Sequence, residues 1–117
     1  MAKFTLFHNP KCSTSRKVDE ALTAAGVEYE TVLYLKDAPT KADLERIIGH
    51  LDDAVTDLVR KDKRFSELGL IATDYITKDS VISLLLEHPE LLQRPIIESS
   101  SRAAIGRPPE EVVETFL

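Results

Sequence analysis

The chain has 117 residues, a formal net charge of −5 and one cysteine, Cys12. This length predicts a single domain over residues 1–117, and a hydrophobic content of 43% suffices for one core. A lone thiol excludes an internal disulfide, a Cys-x-x-Cys redox pair and any metal site that requires two thiolates from the chain. If Cys12 carries out redox chemistry, the second thiol therefore has to come from another molecule.

Charge and hydropathy also exclude some partners. An acidic chain without a long basic block is a poor match for nucleic acid. No apolar run approaches the ~20 residues of a membrane-spanning helix. The segment before Asn9-Pro10 is too short for the core of a signal peptide. We therefore expect a cytoplasmic protein that binds neither nucleic acid nor membranes and whose thiol stays reduced.

The first third of the chain predicts a strand, a helix and a second strand. Lys3–Phe7 has the pattern of a short buried strand, which Asn9-Pro10 ends. A helix is predicted to begin at Ser13 and to end before Gly26, with one apolar face made of Val18, Ala21, Leu22 and Ala25. Val27–Leu35 alternates in hydrophobicity and predicts a strand, which a right-handed crossover places parallel to the first.

The middle of the chain is predicted to be helical. Thr40 is suited to be the N-cap of a helix whose inward face is Leu44, Ile47, Ile48 and Leu51. A short helix is predicted over Asp52–Arg60, with Val55, Leu58 and Val59 inward. A third helix follows Thr77 and ends at His88-Pro89, with an inward face of Val81, Ile82, Leu85 and Leu86.

The last quarter of the chain predicts two strands and a helix. Arg94–Glu98 and Ala103–Ile105 are separated by a turn so short that the two strands must be antiparallel. Pro109 is suited to the start of a final helix with Val112, Val113, Phe116 and Leu117 inward. The predicted fold class is α/β, with a mixed sheet built as βαβ, a helical insertion at about residues 40–92, and ββα.

The candidate chemistry lies in the first strand-to-helix turn, His8–Arg16. Cys12 falls at the start of the helix, where unpaired N–H groups and the helix dipole favour an anion such as a thiolate. Helix N-termini and cationic neighbours bring a cysteine pKa from about 8.5 to roughly 3.5–7.5, and Lys11 and Arg16 lie nearby in sequence. The same N–H groups can bind an oxyanion. The alternative interpretation is a small buried thiol that only packs.

This turn also resembles a known family. His8-Asn9-Pro10-x-Cys12-x-Thr14-Ser15-Arg16 is similar to the active-site loop of the ArsC-type, glutaredoxin-linked arsenate reductases, which have a thioredoxin-like fold. Three further segments resemble the same family in order along the chain: Leu58–Lys61 with Glu67–Leu70, Gln93–Ile97, and Ile105–Glu110. Ser13 stands where many members have glycine, a small departure within the loop.

The resemblance implies a role for each matching residue. Cys12 would be the nucleophile, and the substrate oxygens would be bound by Arg60, Arg94 and Arg107. His8 would help to lower the thiol pKa and Ser15 would lie close to the thiol. Pro95 would be the cis-proline that faces the active-site loop. Without the resemblance, Arg60 would be interpreted as a surface residue that pairs with Asp57 or Asp62.

The implied function is arsenate reduction, with glutathione as co-substrate, glutaredoxin as the protein partner, and no bound cofactor or metal. Planar guanidinium groups suit tetrahedral oxyanions well, which agrees with that function. Two alternatives stay open. One is a glutathione-dependent thiol oxidoreductase with another substrate. The other is a regulator of the Spx type that binds RNA polymerase, although many of those carry a Cys-x-x-Cys switch that is absent at Cys12–Ser15.

Overall fold

The computed structural model of the protein describes residues 4–117. The chain opens with β1 (Phe4–His8), α1 (Ser13–Ala25) and β2 (Tyr29–Leu33), in the predicted order. Lys3, the predicted first residue of β1, lies outside the described residues. Gly26 takes a left-handed conformation, with φ 70°, directly after α1. A left-handed residue at this position is a common way for a helix to end, and glycine adopts it at no steric cost.

Two details of this first unit differ from the predictions. Ala25, predicted to face the core, is exposed because α1 turns it toward solvent. β2 is shorter than the predicted Val27–Leu35, because the backbone N–H groups of Lys36 and Asp37 both donate to the Leu33 carbonyl and turn the chain away from the sheet.

The helical segment begins with α2 (Lys41–Gly49), which Thr40 caps as predicted. The Thr40 hydroxyl accepts from the Asp43 N–H, while the Asp43 carboxylate accepts from the Thr40 N–H. The predicted helix over Asp52–Arg60 is wrong, because only a short 3-10 helix forms at Val55–Leu58. It stops there because the next residues pair in extended form with the chain before β3, with Arg60 N–H donating to the Leu91 carbonyl at 2.7 Å.

The rest of the segment holds two α-helices and two short 3-10 helices. α3 (Lys63–Glu67) was not predicted; Asp62 caps it by accepting from the Phe65 N–H. The 3-10 helices cover Ala72–Asp74 and Pro89–Leu91, on either side of α4 (Lys78–Glu87). Leu86 of α4 was predicted to face inward and is 42% exposed, because Leu84 occupies the buried position instead.

The chain closes with β3 (Ile96–Glu98), β4 (Ala103–Ile105) and α5 (Pro109–Phe116). The strand order is β2-β1-β3-β4, with β1 parallel to β2 and the other neighbours antiparallel. The predicted mixed sheet is therefore confirmed. β3 begins two residues later than predicted, after the Arg94–Pro95 peptide. Leu117 was predicted to face inward but follows the last helical turn and is exposed.

The sheet separates two apolar clusters. Phe4, Leu6 and Ile97 face α1 and α5, where Val18, Leu22 and Val113 complete the smaller cluster. Phe7, Ile96 and Ile105 point to the opposite face, which the helical segment covers with the larger cluster. The alternation of side chains along β1 thus divides the core between the two faces. Among residues 4–117, none of the helices combines the length and the apolar character needed to cross a bilayer.

One charged cluster fixes the helical segment to the sheet. Glu98, at the end of β3, is buried and its carboxylate accepts two hydrogen bonds from Arg46 of α2, at 2.8 and 2.9 Å. His50 Nε2 lies 2.8 Å from the same carboxylate. Glu98 pairs with Thr5, near the start of β1, so this cluster lies at the end of the sheet opposite the Cys12 turn.

Candidate active site

Cys12 lies where β1 gives way to α1, as the sequence predicts. It is the N-cap residue of α1 in an extended conformation, and 9% of its surface is exposed. A turn holds it in place, since its backbone N–H donates to the Asn9 carbonyl at 3.0 Å. Its sulfur is therefore held beside the N–H groups that begin the helix, which is where a helix attracts an anion.

The pKa of the Cys12 thiol is lowered from its ordinary value. Burial alone would raise this pKa, but the backbone N–H groups of Ser15 and Thr14 and the charges of Arg94 and Arg107 outweigh it. Neither N–H reaches full hydrogen-bond geometry with Sγ, so their effect is an attraction between a dipole and the thiolate. The site thus favours the nucleophilic form of the sulfur.

His8 and Ser15 form a buried pair beneath the cysteine turn. His8 Nδ1 lies 2.6 Å from the Ser15 hydroxyl, and the Asn9 N–H donates to the same hydroxyl oxygen at 3.0 Å. Burial lowers the pKa of His8, with opposing effects from Asp19 and Arg16, so its imidazole is neutral near pH 7. His8 therefore stabilises the turn through Ser15 and does not add a full positive charge.

Arg94 is buried next to the thiol and has two donors that nothing in the described chain satisfies. Only 7% of its surface is exposed. Among residues 4–117, no group accepts a hydrogen bond from its buried Nε or Nη1. Buried polar groups are almost always paired, and a buried charge is costly unless an opposite charge meets it. These two donors are what an anion held beside Cys12 would need.

Arg107 connects Arg94 to the sulfur. Its Nε donates to the Arg94 backbone carbonyl at 3.0 Å, and its Nη2 lies 3.8 Å from Cys12 Sγ. The turn that carries it packs tightly, because a Cβ on Gly106 would come within 2.8 Å of the Pro95 ring and 2.9 Å of Val18. A glycine is therefore required there for Arg107 to reach the sulfur.

Pro95 and Arg60 occupy different positions around this centre. The Arg94–Pro95 peptide bond is cis, the isomer that the family resemblance implies. The Arg60 guanidinium makes no hydrogen bond to the Cys12 sulfur. Its Nη1 pairs with Asp62 Oδ2 at 2.9 Å. Asp62 is one of the two partners that the sequence offers for Arg60 as a surface residue. The charge of Arg60 still acts on a neighbour of the site, Tyr34.

Tyr34 was missed by the sequence reasoning. It is 1% exposed. Burial raises its pKa, the charge of Arg94 and the side chain of Asn9 oppose that rise, and the Cys12 thiolate adds to it. Its hydroxyl therefore belongs to the same group of side chains. The signal was available, because β2 runs parallel to β1 with Leu33 opposite His8. The residue after Leu33 thus follows β2 at the edge where Cys12 follows β1.

The arrangement combines an activated thiol with a small cationic pocket. Residues 4–117 contain no group of three or more His, Cys, Asp or Glu side chains placed to hold a metal ion. The chemistry available is nucleophilic attack by sulfur on a bound oxyanion.

Comparison with known proteins agrees with this geometry. The ArsC family model matches residues 7–115. An uncharacterized protein of Escherichia coli K12, YfgD, is 39% identical over 112 residues, which covers 93% of this chain and 92% of that protein. An arsenate reductase of Neisseria meningitidis is 36% identical over 114 residues, covering 96% of this chain and 97% of that protein.

Solved structures give the same relationship. The structure of an arsenate reductase from Vibrio cholerae superposes with a TM-score of 0.84 at 32% identity, covering 97% of this chain and 98% of that one. A structure described as a "putative arsenate reductase from Yersinia pestis" gives a TM-score of 0.82 at 32% identity, covering 95% of this chain and 98% of that one. With a family match along nearly its whole length, this chain belongs to the ArsC family.

Proposed function

We propose that this protein is an arsenate reductase in which Cys12 is the nucleophile and Arg94 and Arg107 hold the oxyanion. The observation that carries the proposal is the pair of buried donors on Arg94, Nε and Nη1, without acceptors in the described chain and beside a thiol of lowered pKa. Arsenate is a tetrahedral anion whose oxygens can accept charge-assisted hydrogen bonds from guanidinium donors. Curated relatives named arsenate reductase support this substrate.

In the first step the Cys12 thiolate attacks arsenic. A sulfur–arsenic bond forms, and one arsenic-bound oxygen leaves as water after protonation, so arsenic stays in the +5 state. Arg94 and Arg107 neutralise charge on the remaining oxygens, and the N–H groups at the start of α1 contribute to the same effect. A neutral His8 keeps Ser15 and the turn in place while this happens.

The reduction then needs two electrons from outside the chain, since it has one cysteine. Glutathione attacks arsenic, a second sulfur–arsenic bond forms and a second water leaves. A glutaredoxin thiolate then attacks the glutathione sulfur. A mixed disulfide forms, the sulfur–arsenic electron pair passes to arsenic, and arsenic becomes +3. Water finally displaces Cys12 from arsenic, which releases arsenite and restores the thiol. Overall, two external thiols become one disulfide and one water is produced.

Arg60 is proposed as a third ligand of the oxyanion that first has to exchange Asp62 for the substrate. The Arg60 guanidinium is partly exposed and already close enough to influence Tyr34. A bound anion of higher charge competes well with a single, partly exposed carboxylate, because an ion pair near the surface is worth only about 0–1 kcal/mol.

The test is an arsenate reduction assay with glutathione and glutaredoxin, followed through disulfide formation. The wild-type protein is expected to reduce arsenate and Cys12→Ser to be inactive, because a serine hydroxyl is not ionised at neutral pH. Full activity in Cys12→Ser would refute the proposed nucleophile. A wild-type protein that turned over no arsenate would refute the proposed reaction.

A further inference from the structure

Beside the cysteine pocket lies a second cleft, of about 360 Å³. This is within the range of sites that hold small molecules. Lys61 and Gln93, which line the cleft, are adjacent in sequence to Arg60 and Arg94. Arg107 itself forms part of the wall. The other lining residues are Asp53, Asp57, Val59 and Ile105. The cleft therefore shares Arg107 with the thiol site, and the Nη2 atom of that residue lies 3.8 Å from Cys12 Sγ.

The cleft carries charges of both signs that do not neutralise one another. Lys61 Nζ donates to the Thr56 carbonyl at 2.7 Å, and no carboxylate of residues 4–117 lies within ion-pair distance of it. Asp57 is exposed, and its carboxylate has no hydrogen-bond or ion-pair partner within the same part of the chain. Opposite charges that share a wall without pairing are available to a ligand that carries both signs.

The remaining polar lining of the cleft suits a peptide. The Gln93 side-chain oxygen is turned to its own chain, 3.4 Å from the Arg94 N–H, which leaves the amide NH₂ as a donor for a carbonyl. Asp53 is fixed by accepting the Ile105 N–H at 2.8 Å, so it forms a rigid acidic wall. Val59 and Ile105 are almost fully buried, so the accessible lining of the cleft is mainly polar.

We propose that this cleft is the binding site for glutathione, the thiol co-substrate. Glutathione is a tripeptide with one ammonium group, two carboxylates and two peptide groups. Asp57 pairs with its ammonium group, Lys61 with a carboxylate, and the Gln93 amide with a peptide carbonyl. The glutathione sulfur is then delivered past Arg107 to the arsenic on Cys12. There it forms the second sulfur–arsenic bond as one oxygen leaves as water.

This inference rests on the proposed function for its reaction step, but the binding site can be tested separately. The variant is Asp57→Lys, and its matched control is Glu114→Lys, an equal change of charge at an exposed position of α5 that does not line the cleft. Arsenate and glutaredoxin are held at saturation while glutathione is varied. Asp57→Lys is expected to raise the KM for glutathione about fivefold, the effect of losing a partly exposed ion pair. The KM for arsenate is expected to change less than twofold.

Glu114→Lys is expected to leave the KM for glutathione within twofold of the wild type. Lys61→Gln, whose amide still donates to the backbone, is expected to raise that KM as Asp57→Lys does. An unchanged KM for glutathione in Asp57→Lys overturns the proposal. A raised KM for glutaredoxin with an unchanged KM for glutathione also overturns it, because the cleft is then a contact for the protein partner.

A binding measurement without turnover separates this inference from the proposed function. S-methylglutathione cannot react, and its titration into ¹⁵N-labelled protein is expected to shift the amide signals of Asp57, Lys61 and Gln93. If these shifts occur in a protein that reduces no arsenate, the reaction is wrong and the binding site stands. If arsenate is reduced and the shifts lie elsewhere, the reaction stands and the binding site is wrong.

Discussion

Replacement of Arg94 by methionine should stabilise the protein and abolish oxyanion binding. Methionine keeps an unbranched side chain as far as the position of Nε and removes a buried charge that has two unpaired donors, Nε and Nη1. Leaving one buried donor unpaired costs about 1–3 kcal/mol, and the lost attraction between Arg94 and the Cys12 thiolate offsets part of the gain from removing two such donors. In a buffer without phosphate, sulfate or arsenate, Arg94→Met is therefore expected to raise the free energy of unfolding by about 1–3 kcal/mol. For a chain of this size, that is a rise in Tm of about 4 °C per kcal/mol.

The same variant should lose its response to arsenate. A ligand at a hundred times its Kd stabilises the native state by about 2.7 kcal/mol. Urea unfolding of the wild-type protein without glutathione is expected to show such a gain with arsenate, and Arg94→Met is expected to show almost none. Arg64→Met is the control, since Arg64 is half exposed and paired with Glu90 at 3.0 Å; its unfolding free energy should fall by no more than about 1 kcal/mol.

Two outcomes would refute this reasoning. The first is a variant that is less stable than the wild type in the anion-free buffer, because Arg94 would then have partners that make it stabilising. The second is an equal gain from arsenate in the wild type and in Arg94→Met, because the oxyanion would then be bound elsewhere.

Three further predictions concern the neighbours of Arg94. Alkylation of Cys12 by iodoacetamide should have its midpoint below the usual thiol pKa, and Arg107→Ala should move that midpoint upward, because a nearby positive charge is lost. Since the folded-state pKa of Cys12 is lowered, its contribution to stability is complete above the unfolded value of about 8.5 and is lost as pH falls through the folded value. Asp62→Asn should free Arg60 and lower the KM for arsenate about two- to fivefold in the coupled assay; an unchanged KM would place Arg60 outside the oxyanion site. Tyr34→Phe should keep the unfolding free energy within about 1 kcal/mol and reduce kcat/KM for arsenate about fivefold or more, since a buried hydroxyl beside the anion is removed; equal kinetics would show that the hydroxyl does not reach the substrate.

The sequence was informative wherever local signals decide the structure. Gly26 ends α1, Thr40 begins α2 and Pro109 begins α5, each as predicted. These positions depend on backbone conformation and capping, which a few neighbouring residues determine. The position of Cys12 at the start of α1 follows in the same way from a strand, the Asn9-Pro10 break and a helix.

The sequence failed where long-range pairing decides the structure. The stretch before Arg60 has helical periodicity, but its backbone pairs with Leu91 and Gln93 far along the chain. That pairing cannot be seen in a local pattern. α3 was missed for the opposite reason, because five residues with one buried side chain, Phe65, give no periodic signal.

The residues of the candidate site show the same difference between local and long-range signals. Its thiol could be located from local sequence, whereas the arginines could be chosen only through the family resemblance, since three separate segments have to fold together first. Even then, the resemblance gave no information on the state of Arg60, because its pairing depends on Asp62, two residues away. Tyr34 could have been found by asking which residue follows the strand beside β1.

The hydrogen bond from Arg107 Nε to the Arg94 carbonyl, 3.0 Å long, has a thermodynamic consequence. Because the acceptor is a backbone oxygen, the bond persists when the Arg94 side chain is replaced, whereas loss of Arg107 removes it and loosens the backbone that positions Arg94. In a double-mutant cycle their separate losses of transition-state stabilisation should not add, and the double variant should lose less than the sum. Energies assigned to each arginine from single substitutions would therefore count their shared contribution twice.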